Sequence, residues 1–373
     1  MSRVAVIVNF PSGYMVELFN AIARRGDVDL HVLYLRGLPP GRQWKVFRAI
    51  EHPHTTVKEW RVHPHFYLNS GLFRALAGLR PDVVVVTQYA SIGMQLVMWA
   101  ASALRVPWVY WSERPGVEWT ELPIFESEAL RRFFRAVALV PVRLLPRQVW
   151  GIGTRAVSRF RELTRAPCEN LPYHSDLTKL LSIPRGARAQ PIRFLYSGKL
   201  NERKGVDLLV AALDALADRG VEISIDFMGD GPLKPSIEAL ASRRPERIRH
   251  LGFKEIDDVP PVLAACDVLV CPSRYDGWGM VVTEAMAAGM PVVASRATGA
   301  ALDLVVDGEN GLLVDACATE PLMAAMAALH GSPDRVRAMG LAARETARAY
   351  DAPAGAARFA ELVAGLGLPA ERP

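Results

Sequence analysis

The chain has 373 residues, 50% of them apolar and 22% charged. That balance excludes a disordered or fibrous polymer, and the length exceeds what one ordinary core accommodates, so two domains are expected. The net charge of +5 is small for this length; it leaves anionic small partners open and excludes a dedicated nucleic-acid binder.

The N-terminal "RVAVIVNF" reads as a buried strand leading into the periodic helix "MVELFNAIARRG". Its apolar stretch is too short for a secretion signal, and no later run reaches bilayer-spanning length. The expected location is therefore cytoplasmic. "DVD" (Asp27 to Asp29) mimics a metal-binding Asp-x-Asp, but it runs straight into the strand "VDLHVLYL", which favours surface pairing over a metal. His52, His54, His63 and His65 are paired at i, i+2 with no third ligand type in reach, and no zinc is expected. "PDVVVVTQY" is a further strand, followed by the helix "SIGMQLVMWAASALRV" and the strand "PWVYWSE".

The stretch "ALRRFFRAVALVPVRLLPRQ" has two readings. It is a solvated helix face ending near Pro141, or a contact for acidic phospholipid head groups made by Arg131, Arg132 and Arg135 beside Phe133, Phe134 and Val137. The second reading carries the expectation of peripheral contact at the inner face of a membrane. The Pro-, Gly- and Arg-rich "LLSIPRGARAQPIR" is the expected linker, near residues 183–191. The division expected is an N-terminal domain over 1–185, a second over 186–345, and a helix over 346–373 packing back on the first.

The second half repeats the alternation of strand and helix. "IRFLYSG", "VEISIDFMG", "IRHLGF", "DVLVCPS" and "PVVAS" read as strands; "VDLLVAALDALADRG", "KPSIEALASRR" and "GMVVTEAMAAGM" read as helices. Two doubly wound parallel sheets with a cleft between them is the economical α/β arrangement, and ligands in such sheets sit beyond the C-terminal ends of the strands. Cys168, Cys266, Cys271 and Cys317 are scattered without a CxxC pair, and Cys266 and Cys271 read as buried small hydrophobes in a reducing compartment.

Several loops at those strand ends can carry chemistry. In "CPSRYDGWGMVVTEAMAAGMPVVAS" Asp276 stands before Gly277 and Gly279 at a helix start, and Glu284 lies about one turn into the helix. Helix starts attract anions, and a carboxylate there can accept hydrogen bonds from a diol. The plainer alternative makes Asp276 a turn former and Glu284 a partner of the helix dipole. In "YSGKLNERKGVDLL" Lys199 and Lys204 stand at the ends of a short loop beside Gly198 and Gly205. Two cations near a helix start would neutralise a diphosphate leaving group, unless they are ordinary surface lysines. Gly229 in "FMGDGPLKP" reads as a tight turn, the backbone of "LGFKEIDD" around Phe253 could meet a base edge, and Gly13 in "NFPSGY" is either a phosphate-approaching or a simple turn glycine.

The order "SGKLNERKGVDLLVAAL", "FMGDGP", "LGF" and "PSRYDGWGMVVTEAMAAGMPVVAS" resembles the family-4 retaining glycosyltransferases, the glycosyl transferases group 1, with the GT-B fold of two Rossmann-like domains facing a central cleft. The likeness covers nearly all of the second half and, more loosely, "VNFPSGYMVELFNAIARRGDVDLHVLY" and "IGTRAVSRFRELTRAPCENLPYHSDL" in the first. By position the resemblance implies that Glu284 binds the nucleotide ribose, that Asp276 stands near the donor sugar's hydroxyls where the family usually has glutamate, and that Lys204 binds the diphosphate. Lys199 replaces a frequent arginine, and Asp276, Lys199 and Lys204 form the implied catalytic set. Gly13 falls in the N-domain loop touching phosphate. Gly198, Gly229, Phe253, Gly277, Gly279, Met280 and Val281 complete the implied donor-binding set.

The resemblance further implies a metal-independent transfer with retention, in which the departing diphosphate takes the acceptor's proton on the same face. No cofactor is implied, the nucleotide sugar being a substrate, and a UDP-sugar is the expected donor. The expected acceptor is a glycan, lipid-linked or small molecule, in polysaccharide or glycoconjugate assembly. A nucleotide-sugar epimerase or hydrolase and a non-catalytic partner subunit are the alternatives. Two departures stand out: Asp276 is one methylene shorter than glutamate, and Gln88 and Tyr89 occupy a place where many members show histidine. Acceptor choice is expected to reside in N-domain loops such as "GLPPGRQWKVF".

Overall fold

The structure is a computed structural model that describes residues 1–37, 49–63, 66–89, 91–115, 127–186 and 191–368. Most of the acceptor-loop segment "GLPPGRQWKVF", His65 and residues 187–190 of the expected linker lie outside the described residues. Two compact units divide the chain. The described residues up to Asp176 and from Ala352 onward belong to unit 1, and those of Leu177–Asp351 belong to unit 2.

Unit 1 opens with β1 (Arg3–Val8), five of whose six residues are buried, and α1 (Gly13–Arg25). β2 (Asp29–Tyr34) and the short β3 (His54–Thr56) precede an antiparallel pair, β4 (Lys58–His63) and β5 (Phe66–Ser70). There follow α2 (Leu72–Leu79), β6 (Val83–Val86), α3 (Ile92–Ala103), β7 (Trp108–Ser112), α4 (Glu128–Ala138), α5 (Val140–Leu144), β8 (Gln148–Gly151), α6 (Thr154–Leu163) and β9 (Cys168–Asn170). Seven strands pair in parallel in the order β3-β2-β1-β6-β7-β8-β9. The continuous apolar runs explain this: "VVVV" of β6 is buried at every position, as a parallel sheet covered on both faces demands.

Unit 2 repeats the design. It runs through α7 (Thr178–Leu181), β10 (Arg193–Ser197), α8 (Val206–Asp218), β11 (Ser224–Met228), α9 (Lys234–Arg243), β12 (Ile248–Gly252) and α10 (Val259–Ala265). It continues with β13 (Val268–Cys271), α11 (Met280–Ala287), β14 (Val292–Ser295), α12 (Gly299–Leu304), β15 (Gly311–Val314), α13 (Thr319–His330) and α14 (Pro333–Ala347). Its six strands are parallel in the order β12-β11-β10-β13-β14-β15. One charge inside this unit is fully compensated: buried Asp226 accepts from Arg193 at 2.7 Å and from Arg249 at 2.7 and 2.5 Å.

After Asp351 the chain re-enters unit 1 as α15 (Ala352–Ala364), which packs on α1. Phe359 places its ring edge-on to Trp111 and Trp150, at 6.4 and 5.4 Å, and Arg358 donates to Glu169 at 3.0 Å. Among the described residues, no helix is long and apolar enough to cross a membrane, and no group of three or more His, Cys, Asp or Glu is placed to hold a metal ion.

The first histidines of the i, i+2 series serve the core of unit 1. His52 is 2% exposed. Asn20 Oδ1 accepts the Glu51 and His52 N–H groups and His52 Nδ1–H, the last at 2.7 Å, which makes Nε2 the acceptor of the Tyr34 hydroxyl at 2.9 Å. Burial, and then the neighbouring His54 and His31, push the His52 pKa down to about 4. The folded protein thus holds this imidazole neutral while the unfolded chain protonates it near pH 6.5. Its contribution is whole above pH 6.5 and is lost as pH falls toward 4, at up to about 1.4 kcal/mol per pH unit. Chemical denaturation of the wild type between pH 7 and 4.5 should therefore show a steeper loss of stability than the same titration of His52→Gln. Parallel curves for the two proteins would remove His52 from the account.

Candidate functional site

The sheet order of unit 2 decides which loops can share a site. β10 lies between β11 and β13, so the chain winds outward from it first on one side and then on the other. Right-handed crossovers in opposite directions put α8 and α11 on opposite faces of the sheet. A crevice opens beyond the carboxyl ends of the two strands at this switch point. The loops there are 198–205, after β10, and 272–279, after β13.

These loops are bonded residue to residue. Arg274 N–H and Tyr275 N–H both donate to Arg203 O, at 2.9 and 3.4 Å, and Arg203 Nη1 donates to Tyr275 O at 3.2 Å. Gly205 sits at φ +72, and a Cβ there would lie 2.0 Å from Pro272 O. Only glycine permits that approach together with that backbone conformation.

Lys204 ends a short 3₁₀ turn, Glu202–Lys204, capped by Asn201, whose side chain accepts Lys204 N–H at 3.0 Å. The turn aims Lys204 Nζ at Asp276 Oδ2, with which it forms an ion pair. The two side chains are only 19% and 11% exposed, so solvent and salt screen the pair less than they would a surface one.

Asp276 is held from behind by the segment after β14. It bridges Thr298, donates its N–H to Ala297 O at 3.2 Å and accepts Gly299 N–H at 3.2 Å. Trp278, 1% exposed, anchors the turn, its ring 6.0 Å from that of Tyr350. Gly277 completes the turn between them, and Gly279 opens α11 as its N-cap without a side-chain cap. α11 has no acidic residue in its first turn, whereas α8 carries Asp207 in its own. The carboxylate near the α11 start comes instead from the preceding loop: a Cβ on its N-cap Gly279 would lie 3.2 Å from Asp276 Oδ2, and that carboxylate is itself paired with Lys204. Met280 and Val281, both half-buried, form the first positions of α11, and half-buried Glu284 lies just beyond the first turn.

The neighbouring loops interlock with these. Gly198 N–H donates to Met228 O at 3.0 Å and Gly229 N–H to Gly252 O at 2.9 Å. Gly229 has φ +142, and a Cβ on it would lie 1.9 Å from Gly198 O. Half-buried Phe253 follows directly on β12. Lys199 is exposed; its carbonyl accepts the Tyr196 hydroxyl at 2.8 Å, and no described bond draws its side chain into the Lys204–Asp276 pair. Gly13 begins α1 in unit 1, where an added Cβ would meet nothing within 4 Å.

Beneath the turn, Cys271 Sγ lies 3.7 Å from both Ser273 Oγ and Thr298 Oγ1. Burial, and then the charge of Asp276, push its thiol pKa up, which makes it a packing group rather than a nucleophile. Asn201 had a legible signal, an N-cap residue three positions before Lys204. The supports from Thr298, Gly299 and Tyr350, and a pairing of Arg274 with Asp207, had none, because they join segments far apart in the chain.

Comparison with known proteins places these loops in context. Residues 191–332 match the family model Glycosyl transferases group 1. The GDP-mannose-dependent alpha-(1-6)-phosphatidylinositol monomannoside mannosyltransferase of Mycolicibacterium smegmatis is 33% identical over 272 residues, 67% of this chain and 68% of that protein. Three other curated relatives are matched over 33%, 65% and 56% of their own length, so the chain spans a third to about two thirds of them. Sucrose-phosphate synthase from Thermosynechococcus elongatus superposes with a TM-score of 0.75 at 21% identity, over 98% of this chain and 99% of that one. Anabaena HepE in complex with UDP superposes with a TM-score of 0.72 at 17% identity, over 98% and 100%. At such identities the likeness establishes the fold, GT-B.

The contact between Gly229 and Gly198 makes a direct prediction. Gly229→Ala should destabilise the protein by about 2–4 kcal/mol, through left-handed strain and a clash with backbone that cannot swing away. Urea denaturation checks this, and a loss below about 0.5 kcal/mol, the ordinary surface effect, would show that the loops are looser than described.

Proposed function

Because this chain belongs to the group 1 glycosyl transferases, we propose that it is a retaining glycosyltransferase moving a hexose from a nucleotide sugar, with a UDP-sugar expected, to a glycan, lipid-linked or small-molecule acceptor. The observation that carries the reading is the Lys204–Asp276 pair, formed across two loops at the switch point of unit 2 beside the start of α11.

The chemistry follows from the charges. The bond from the anomeric carbon to the diphosphate oxygen breaks, a bond from that carbon to the acceptor oxygen forms, and the acceptor proton passes to the departing diphosphate on the same face. Negative charge grows on the leaving group, and Lys204, Lys199 and the α11 start supply the stabilisation without a metal. Glu284 takes the ribose hydroxyls and Asp276 those of the sugar, so neither carboxylate acts as a nucleophile. The remaining donor contacts in this reading come from Gly198, Gly229, Phe253, Gly277, Gly279, Met280 and Val281. Lys204 is bound to Asp276, so the diphosphate must draw the ammonium away from a carboxylate.

That competition yields opposed effects on binding and turnover. Lys204→Ala and Glu284→Gln should each lower transfer by about 100-fold or more while the protein stays folded. Asp276→Asn should bind the nucleoside diphosphate itself roughly three- to tenfold more tightly, yet lose transfer. Thermal-shift and calorimetric titration with UDP and GDP, followed by product analysis with an acceptor panel, tests all three. Full activity in both Lys204→Ala and Glu284→Gln would end the reading, and donor cleavage or epimerisation without acceptor would favour a hydrolase or epimerase.

A second reading concerns unit 1. α4 buries no residue, and Leu130, Phe133, Phe134 and Val137 form an exposed stripe at helical spacing beside Arg131, Arg132 and Arg135. Phe134 and Val137 also line a pocket of about 360 Å³ with Gln95, Trp99, Ala138 and Val140. An apolar stripe flanked by arginines fits an anionic bilayer surface, the cytoplasmic face in this proposal. The protein should float with phosphatidylglycerol vesicles at low salt, and Phe133→Asp should abolish flotation. No binding of the wild type at low salt would discard this surface.

A further inference from the structure

Arg274 belongs to the second loop of the site, yet nothing in the proposed transfer uses its charge. Its guanidinium is committed through both terminal nitrogens. Nη1 donates to Glu202 O and to Asp207 Oδ1, each at 2.6 Å, and Nη2 donates to Asp207 Oδ2 at 2.6 Å. Glu202 opens the turn that ends in Lys204, and Asp207 lies in the first turn of α8. One fork therefore grips the chain on both sides of Lys204. Asp276, the partner of Lys204, stands two residues beyond Arg274 on the opposite loop.

We propose that Arg274 is a positioning residue: by clamping Glu202 and Asp207 it holds the Lys204 ammonium where it meets Asp276 and the diphosphate. The inference rests on the functional reading above for what Lys204 binds. Arginine suits the task because a planar fork can take a carboxylate in two parallel bonds and a carbonyl besides, which a lysine cannot. Asp207 in turn faces the positive start of α8 and is itself neutralised by Arg274. Truncating Arg274 would leave Asp207 without its guanidinium partner and Glu202 O without its donor. In the wild type the Asp207 carboxyl sits below the usual range, first because of its hydrogen bond to Arg274, as the clamp requires. The backbone bonds between Arg203, Arg274 and Tyr275 do not need the guanidinium, so the loops should remain apposed in its absence while Lys204 loses its aim.

A residue that merely stabilises the unit would act independently of Lys204, whereas a positioning residue acts through it. The test is a double-mutant cycle on the full chain, with UDP and GDP binding measured by calorimetry and thermal midpoints recorded alongside. Arg274→Ala should weaken binding about tenfold. Added to Lys204→Ala, the same change should alter affinity by no more than about twofold, since the group it positions is gone. Arg274→Lys should fall between wild type and Arg274→Ala, and it takes over the cycle if the alanine variant does not fold. Wild-type affinity in the Arg274 variants, or an equal loss in both backgrounds, would overturn the inference while leaving the transferase reading intact. Absence of UDP and GDP binding by the wild type would overturn that reading and this inference with it.

Discussion

The pairing of β10 with β13 is the constraint on which the site depends. These strands are hydrogen-bonded neighbours, although two further strands and their helices separate them in the chain. Parallel strands joined by right-handed crossovers send their following loops to one edge of the sheet, and the reversal of winding at β10 leaves that edge uncovered by a helix. Lys204 and Asp276, 72 residues apart, can meet only because of this. The apolar runs "RFLYS" and "VLVC", buried almost throughout, hold the two strands together, so the same hydrophobic burial that folds unit 2 brings the charges into range.

Once apposed, the loops are locked by close contacts more than by long side chains. Carbonyls of Gly198 and Pro272 fill the space where Gly229 and Gly205 would carry a Cβ, and Thr298 bridges Asp276. Such a frame orients charge before any ligand arrives, and preorganised charge stabilises a developing anion without reorganisation. The two helix starts are also treated differently. Asp207, paired with Arg274, faces that of α8, while α11 has no acidic residue in its first turn. At α11 the nearby carboxylate is Asp276, which the preceding loop contributes and Lys204 pairs, so an anion reaching that helix start meets a lysine already engaged.

Unit 1 follows the same winding for different ends. Its core carries a neutral histidine bonded to Asn20 and Tyr34, and α15 returns from unit 2 to cover Trp111 and Trp150 with Phe359. On its surface α4 keeps an apolar stripe and Arg132 outside, while Arg131 and Arg135 are half-buried with their Nε atoms out of solvent. Both sequence readings of that segment pictured a helix. What the fold adds is that its half-buried face is Arg131, Arg135 and Ala138 while Leu130, Phe133, Phe134 and Val137 are exposed, the reverse of an ordinary solvated helix on a core.

By itself the sequence determined the alternation of strands and helices, the α/β class, and which loops lie at strand ends, because unbroken apolar runs and glycine stops are local signals with local causes. It also picked out Asp276, Glu284 and Lys204, whose places after a strand and at a helix start follow from spacing alone. It grouped Lys199 with Lys204 as a pair of cations, from nearness along a loop and from the resemblance. Tertiary structure instead joined Lys204 to Asp276 and left Lys199 exposed. It alone decided that Arg274 reaches Asp207 and Glu202, and that Thr298 underlies Asp276. The reason is physical: strand order is set by burial summed over the whole sheet, and contacts between loops inherit that order, so no window of sequence contains them.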